Sequence, residues 1–206
     1  SIRYLAEGQK GRSDRIYAGG HSKGGHLAIY SAYNADSDIR DRVVRIFDFD
    51  GPGFNDDVMN TEAFRAVGPR ITRVIPENSI IGRLLSDTAV PLIVASTEKG
   101  IMQHDPMSWQ IEGKLFITVE KNSTARDVFD ETLTKWIDEL DDTEKKRFID
   151  DLFAVLEASG ETNVSRLSHL NLQSIKAMIS RMHTLNKGSR DKIRLLLKDF
   201  IDSWGE

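Results

Sequence analysis

RIYAGGHSKGGHLAIYSA, residues 15 to 32, decides how the rest of the chain is read. Ile16-Tyr17-Ala18 is a short apolar run of strand type, Gly19-Gly20-His21-Ser22-Lys23-Gly24-Gly25 follows at once, and Leu27, Ala28, Tyr30 and Ser31 continue at helical spacing. Gly20-His21-Ser22-Lys23-Gly24 fits G-x-S-x-G, the strand-to-helix elbow that lifts a serine above the C-terminal end of a parallel strand. Its glycines are needed because helix and strand backbones crowd the serine from both sides. Ser22 is therefore expected to sit strained and exposed at a helix N-terminus, whose dipole favours the negative charge of an oxyanion. The plainer alternative is a glycine-rich turn whose serine merely caps the helix.

Composition bounds the remainder. With 206 residues, 39% hydrophobic and 29% charged, the chain can bury one sizeable core, or one core and a smaller satellite. The net charge of −4 divides evenly between residues 1–120 and 121–206, so no basic face advertises nucleic acid or an anionic membrane. There is no cysteine, which excludes disulfides, thiolate metal sites and cysteine nucleophiles. No apolar run approaches the roughly 20 residues of a membrane span. A cytoplasmic setting is the default expectation.

Upstream of the elbow, Ser1 to Gly8 reads as the end of a helix with Ile2, Leu5 and Ala6 on one face, and no signal peptide is visible. A nucleophile strand in an open α/β sheet is normally flanked on both sides, yet here it is the first strand in the sequence. Its apolar free edge is an aggregation hazard. We therefore expect the N-terminal half of the sheet to be supplied by upstream residues of the natural protein, by a cleaved segment or by another copy.

Downstream, Val43–Phe49 (VVRIFDF) is the expected second strand, ending in Asp50-Gly51-Pro52-Gly53-Phe54. A carboxylate in a Gly-Pro turn just past a strand is placed where α/β enzymes gather functional groups. Thr61 to Val67 reads as a short helix, Ile71–Ile75 as a third strand stopped by Pro76-Glu77-Asn78-Ser79, Ile80 to Leu85 as a brief apolar segment, and Pro91–Ser96 as a fourth strand. Strands alternating with crossover-length connections argue a mainly parallel sheet flanked by helices. His104 follows the last of these strands, on a loop marked by Asp105-Pro106, and suits a general base. A serine, then carboxylates, then a histidine is also the chain order of α/β hydrolases.

Four segments in this order, GGHSKGGHLAIYSA, FDFDGPGF, VIPENSIIGRLL and GIMQHDPMSWQI, resemble the Mbeg1-like family, a bacterial domain of unknown function in the α/β-hydrolase superfamily that is distantly similar to class 3 lipases. The resemblance spans about residues 1–140. It implies a lipase-like hydrolase fold, with Ser22 matching the nucleophile and His104 the histidine. In the lipases the acid follows the strand after the one carrying FDFDGPGF, and that place here reads Glu77-Asn78-Ser79, where Glu77 is the available carboxylate. The lipases' N-terminal sheet half, with the loop giving a second oxyanion donor, has no counterpart in these residues.

The side chains themselves dictate the expected chemistry. A serine hydroxyl is a poor nucleophile at neutral pH, so His104 must take its proton during attack and return it to the leaving group. Glu77 and Asp50 compete to hold the imidazole in the right tautomer, and Glu77 is favoured, with Asp50 the alternative, because Glu77 follows the third strand, where the lipase-like pattern puts its acid. The backbone N–H of Lys23 is the oxyanion donor the elbow supplies. His21 is expected beneath the turn, His26 on the elbow helix and the Lys23 ammonium in solvent.

The last third is helical in texture. Leu115 to Val119 could form an edge strand. Phe129, Leu133, Trp136, Ile137 and Leu140 make one apolar stripe, and Phe148 to Leu156 a second, closed by Gly160. Leu172 to Leu185 makes a third and Ile193 to Trp204 a fourth. The expected organisation is thus a partial α/β-hydrolase-like catalytic region over 1–140 and a helical appendage over 141–206. His169 and His183 lack the pattern of a metal site, and neither a cofactor nor a metal is implied. Two readings follow: a serine hydrolase acting on a small-molecule ester or lipid-like substrate, or a hydrolase-fold protein with weak or lost catalysis that interacts through its C-terminal helices.

Overall fold

Strand β1, Ile16–His21, runs through both glycines of the elbow, so Ser22 is the first residue beyond it. Pairing with β2, Val43–Phe49, holds it extended that far: Gly20 stands opposite Asp48 and His21 opposite Phe49. The computed structural model describes residues 2–9, 11–85, 88–119, 136, 139–160 and 172–197. In it β3, Ile71–Pro76, pairs with β2, and β4, Leu92–Val94, pairs with β3, all parallel and in the order β1-β2-β3-β4. Among the described residues β1 pairs with β2 alone.

Parallel neighbours require crossovers. Helix α1, Ile2–Gln9, precedes β1, and α2, Lys23–Tyr33, with α3, Ser37–Arg40, links β1 to β2. Helices α4, Asp56–Met59, and α5, Glu62–Val67, link β2 to β3, and the Thr61 hydroxyl caps α5 by accepting from Phe64 N. The apolar segment after β3 is a 3-10 turn, Ile81–Arg83. Ile29, Ala32, Ile39, Phe64 and Val67 close over Ile16, Val43, Ile46 and Ile71 to form the core beneath these helices. Each such buried aliphatic contributes about 1.5–3 kcal/mol by leaving water.

The fourth strand is shorter than the expected Pro91–Ser96, because Ala95 already bonds to a different segment. Leu115–Phe116, β6, forms an antiparallel hairpin with Ile111–Glu112, β5, and Thr118 then bridges Val94 antiparallel. The expected edge strand is therefore split between a hairpin and a run along β4.

The chain divides into two compact units, Ser1–Ala95 with Gln110–Asn122 and Ser96–Trp109 with Ser123–Glu206. The second unit contains α6, Asp142–Glu157, α7, Leu172–His183, and α8, Lys187–Leu196. A capping box between Asp141 and Glu144 starts α6, and Asn186 caps α8 by accepting from Ser189 N. Phe148, Leu152 and Val155 of α6, Ile175, Met178 and Met182 of α7, and Ile193 of α8 are all buried. Trp136 meets Phe148 edge-to-face at 4.9 Å, under the Lys192 ammonium. Of the stripe beginning at Phe129, Phe129, Leu133 and Ile137 lie outside the described residues, as do Phe200, Ile201, Trp204 and His169. No helix among the described residues is long and apolar enough to cross a membrane.

Candidate active site

Ser22 carries φ 56° and ψ −130°, in the region that favours glycine. Strand pairing and helix start impose this jointly. Its N–H donates to Phe49 O at 2.8 Å, closing the β1–β2 ladder, while its carbonyl accepts from Gly25 N at 3.0 Å and His26 N at 3.3 Å, opening α2. The hydroxyl makes no capping hydrogen bond, so capping is not what retains the serine. Contrary to the sequence expectation it is not exposed, with only 8% of the residue accessible. Part of the cover is the turn after β2, where a Cβ on Gly51 would stand 2.7 Å from Ser22 O.

The crowding that demands glycine is distributed differently from the motif. A Cβ on Gly20 would lie 2.5 Å from the Gly24 carbonyl carbon, and one on Gly25 would strike Asp48 Oδ1 and come within 2.9 Å of Gly20 O. A Cβ on Gly24 itself would meet nothing within 4 Å. Lys23 begins α2 with its side chain exposed, and its N–H belongs to the first turn, where donors have no intrahelical acceptor.

Asp50 occupies on β2 the position that Ser22 occupies on β1. It is fully buried, with φ 55° and its N–H donating to Val74 O at 2.9 Å. Its Oδ1 accepts from the Ser79 hydroxyl and from Gly82 N at 3.1 Å, and Gly82 N also donates to Ser79 Oγ at 2.8 Å. Glu77 follows β3 two residues beyond the level of Asp50, since Phe49 stands opposite Val74. It is half-buried, its N–H donates to Val94 O at 3.0 Å, and Arg83 donates to its carbonyl at 3.0 Å. Ser22 and Asp50 thus stand side by side at the C-terminal ends of β1 and β2, with Glu77 two residues further along past β3.

Below these residues lies a buried ion pair that the sequence reading missed. Asp48 and Arg73 face each other in the β2–β3 register, with Nε 3.3 Å from Oδ2 and both side chains inaccessible. Burial raises the Asp48 pKa to about 6, against the lowering by the Arg73 guanidinium and by Gly51 N–H, which donates to Oδ1 at 3.0 Å; the Asp50 charge raises it further. The available signal was a charged residue amid the apolar positions of two consecutive strands, in VVRIFDF and ITRVIP.

His26 lies on the elbow helix, as expected. Its Nδ1–H donates to Pro52 O and Gly53 O, both at 3.1 Å, and its ring stacks on Phe54 at 4.0 Å. Burial lowers its pKa against the raising effect of the two carbonyls, and the Lys23 charge lowers it further. It therefore serves as a neutral brace between helix and turn. His21, the last residue of β1, is half-buried.

His104 belongs to the second unit, in a 3-10 turn, Gly100–His104, rather than an irregular loop, and it is 4% exposed. The turn is braced from within its segment: Gln103 Nε2 donates to Glu98 O at 2.9 Å, Trp109 Nε1 to Gln103 O at 2.8 Å, and Asp105 caps the next turn at Met107 N. Among the described residues no three His, Asp or Glu side chains form a group that could hold a metal ion.

A family model described as Mbeg1-like matches residues 1–154, and the chain belongs to that family. No curated protein and no solved structure matches it.

Proposed function

We propose that this Mbeg1-like protein is a serine hydrolase of the lipase or esterase type, built on an α/β-hydrolase-like sheet and cleaving a small-molecule ester or lipid-like substrate. The observation that carries the reading is Ser22 itself: a non-glycine residue held at φ 56°, with a hydroxyl that does not cap the helix it precedes. Strain of this kind costs about 1–3 kcal/mol and persists where the surroundings impose it, commonly at sites of chemistry.

His104 is the proposed base, taking the Ser22 proton during attack and returning it to the leaving alkoxide. The supports are the chain order of serine, acid and histidine and the buried, braced turn that carries His104. Of the two carboxylates, Asp50 is the preferred acid. It is fully buried, and its orientation is fixed by a hydroxyl and a backbone N–H, whereas Glu77 is half-buried. Lys23 N–H is the proposed oxyanion donor. A second donor, and a strand along the open edge of β1, are proposed to come from residues outside the described sheet.

A fluorophosphonate probe tests the reading. Wild type labels at Ser22 and cleaves p-nitrophenyl esters, and a panel of acyl lengths then defines the substrate class. Absence of both labelling and cleavage would favour a hydrolase-fold interaction protein.

A further inference from the structure

The buried charges beneath the site do more than fill the core. The planar head of Arg73 donates through one terminal nitrogen to Gly51 O at 2.8 Å and to Gly82 O, while its Nε faces Asp48. Gly51 is the residue after Asp50, and Gly82 is the residue whose N–H holds the Asp50 carboxylate. Asp48 takes the N–H of Gly51 through its other oxygen. Gly82 must be glycine at this junction, since a Cβ there would collide with Asp50 Oδ1 and lie 2.7 Å from Ser79 Oγ.

We propose that Arg73 is a positioning residue for Asp50, acting through Gly51 and Gly82, and that Asp48 holds Arg73 in the orientation this requires. The proposal rests on the reading of Asp50 as the acid. A generic core filler would not need a planar cation whose one end reaches both peptide segments that hold a single carboxylate while its Nε faces a second acid. The pair also burdens the fold, since desolvation raises the Asp48 pKa despite the adjacent guanidinium. Apolar replacements of buried ion pairs are often neutral or stabilising, so retention of a costly pair points to a task.

The test uses the full chain with Arg73→Lys, which keeps the charge and loses the planar head that joins the Gly51 and Gly82 carbonyls to Asp48, and Asp48→Asn, which keeps the shape. Amide hydrogen exchange is followed at Gly51 and Gly82, with Ala18 and Ile46 as sheet references, alongside kcat and KM on a p-nitrophenyl ester. The expected result is exchange at Gly51 and Gly82 at least tenfold faster with the references unchanged, and kcat reduced tenfold or more at constant KM. Unchanged protection at Gly82 in a folded variant overturns the proposal. Protection lost equally across the sheet, or failure of both variants to fold, also overturns it in favour of a purely structural pair. If wild type neither labels nor turns over, the assignment of Asp50 as acid falls, while the exchange data still decide whether Arg73 positions it.

Discussion

Ser22 and Asp50 are structural counterparts: each is the first residue past its strand, their strands pair in parallel with His21 opposite Phe49, and their φ angles are 56° and 55°. Adjacent strands lie about 4.8 Å apart, so the repeated left-handed conformation sets two polar residues side by side at one level. The structure pays for that arrangement in backbone strain at both positions.

The strain at Ser22 separates two substitutions. Ser22→Ala keeps the Cβ and therefore the strain; it should abolish ester cleavage and fluorophosphonate labelling while leaving Tm unchanged. Ser22→Gly should be equally inactive but gain about 1 kcal/mol net, raising Tm by about 2–4 °C. Activity retained in either variant would remove the serine mechanism.

The two carboxylates are distinguished by turnover. Asp50→Asn should lower kcat by about 10³–10⁴ through loss of imidazole orientation, whereas Glu77→Gln should change it by less than about threefold, since Glu77 is only half-buried and surface changes of this kind have small effects. The reverse pattern in steady-state kinetics would make Glu77 the acid.

An alanine scan of the elbow glycines should not follow the motif. Gly20→Ala and Gly25→Ala each force backbone or a buried carboxylate to move and should cost about 3 kcal/mol in denaturant unfolding. Gly24→Ala meets open space on a helix and should be neutral or stabilising by up to about 1 kcal/mol. Comparable losses at all three positions would contradict the geometry.

The buried acid predicts a pH signature. The Asp48 pKa rises from 3.8 to about 6 on folding, so between those values the native state holds a proton that the unfolded chain has released. Its stabilising contribution is complete below pH 3.8 and is lost as pH rises through 6, a change of about 3 kcal/mol for two pKa units. His26 acts in the opposite sense: its lowered pKa leaves its contribution intact above 6.5 and lost as pH falls below that value. Asp48→Asn isolates the first effect. The stability difference between variant and wild type should move by about 3 kcal/mol in the variant's favour from pH 4 to pH 7.5, measured by urea unfolding. A constant difference would show that Arg73 compensates the burial fully.

The parallel sheet and the elbow were legible because apolar runs, glycines and crossover lengths are local signals. The helices after Asp141 were legible from apolar stripes such as Phe148, Leu152 and Leu156. The ends of elements were less so. β4 stops at Val94 because Ala95 pairs with Gln110 and Ile117, partners that no local pattern announces. Asp48, Arg73 and Gly82 escaped notice for a similar reason: their meaning lies in who faces whom across strands, and register is a tertiary fact. Burial of Ser22 was missed because a motif defines a backbone shape and says little about what covers it.

The segment Ser96–Trp109 leaves and returns through neighbouring backbone positions, with Ala95 O accepting from Gln110 N at 2.9 Å and Ser96 bridging Trp109. The base holds the two ends together, and the turn between them is fixed by its own braces, Gln103 to Glu98 O and Trp109 to Gln103 O. The stretch that carries His104 is thus held by its own hydrogen bonds and by its base on Ala95 and Gln110, through bonds separate from those that hold Ser22 and Asp50.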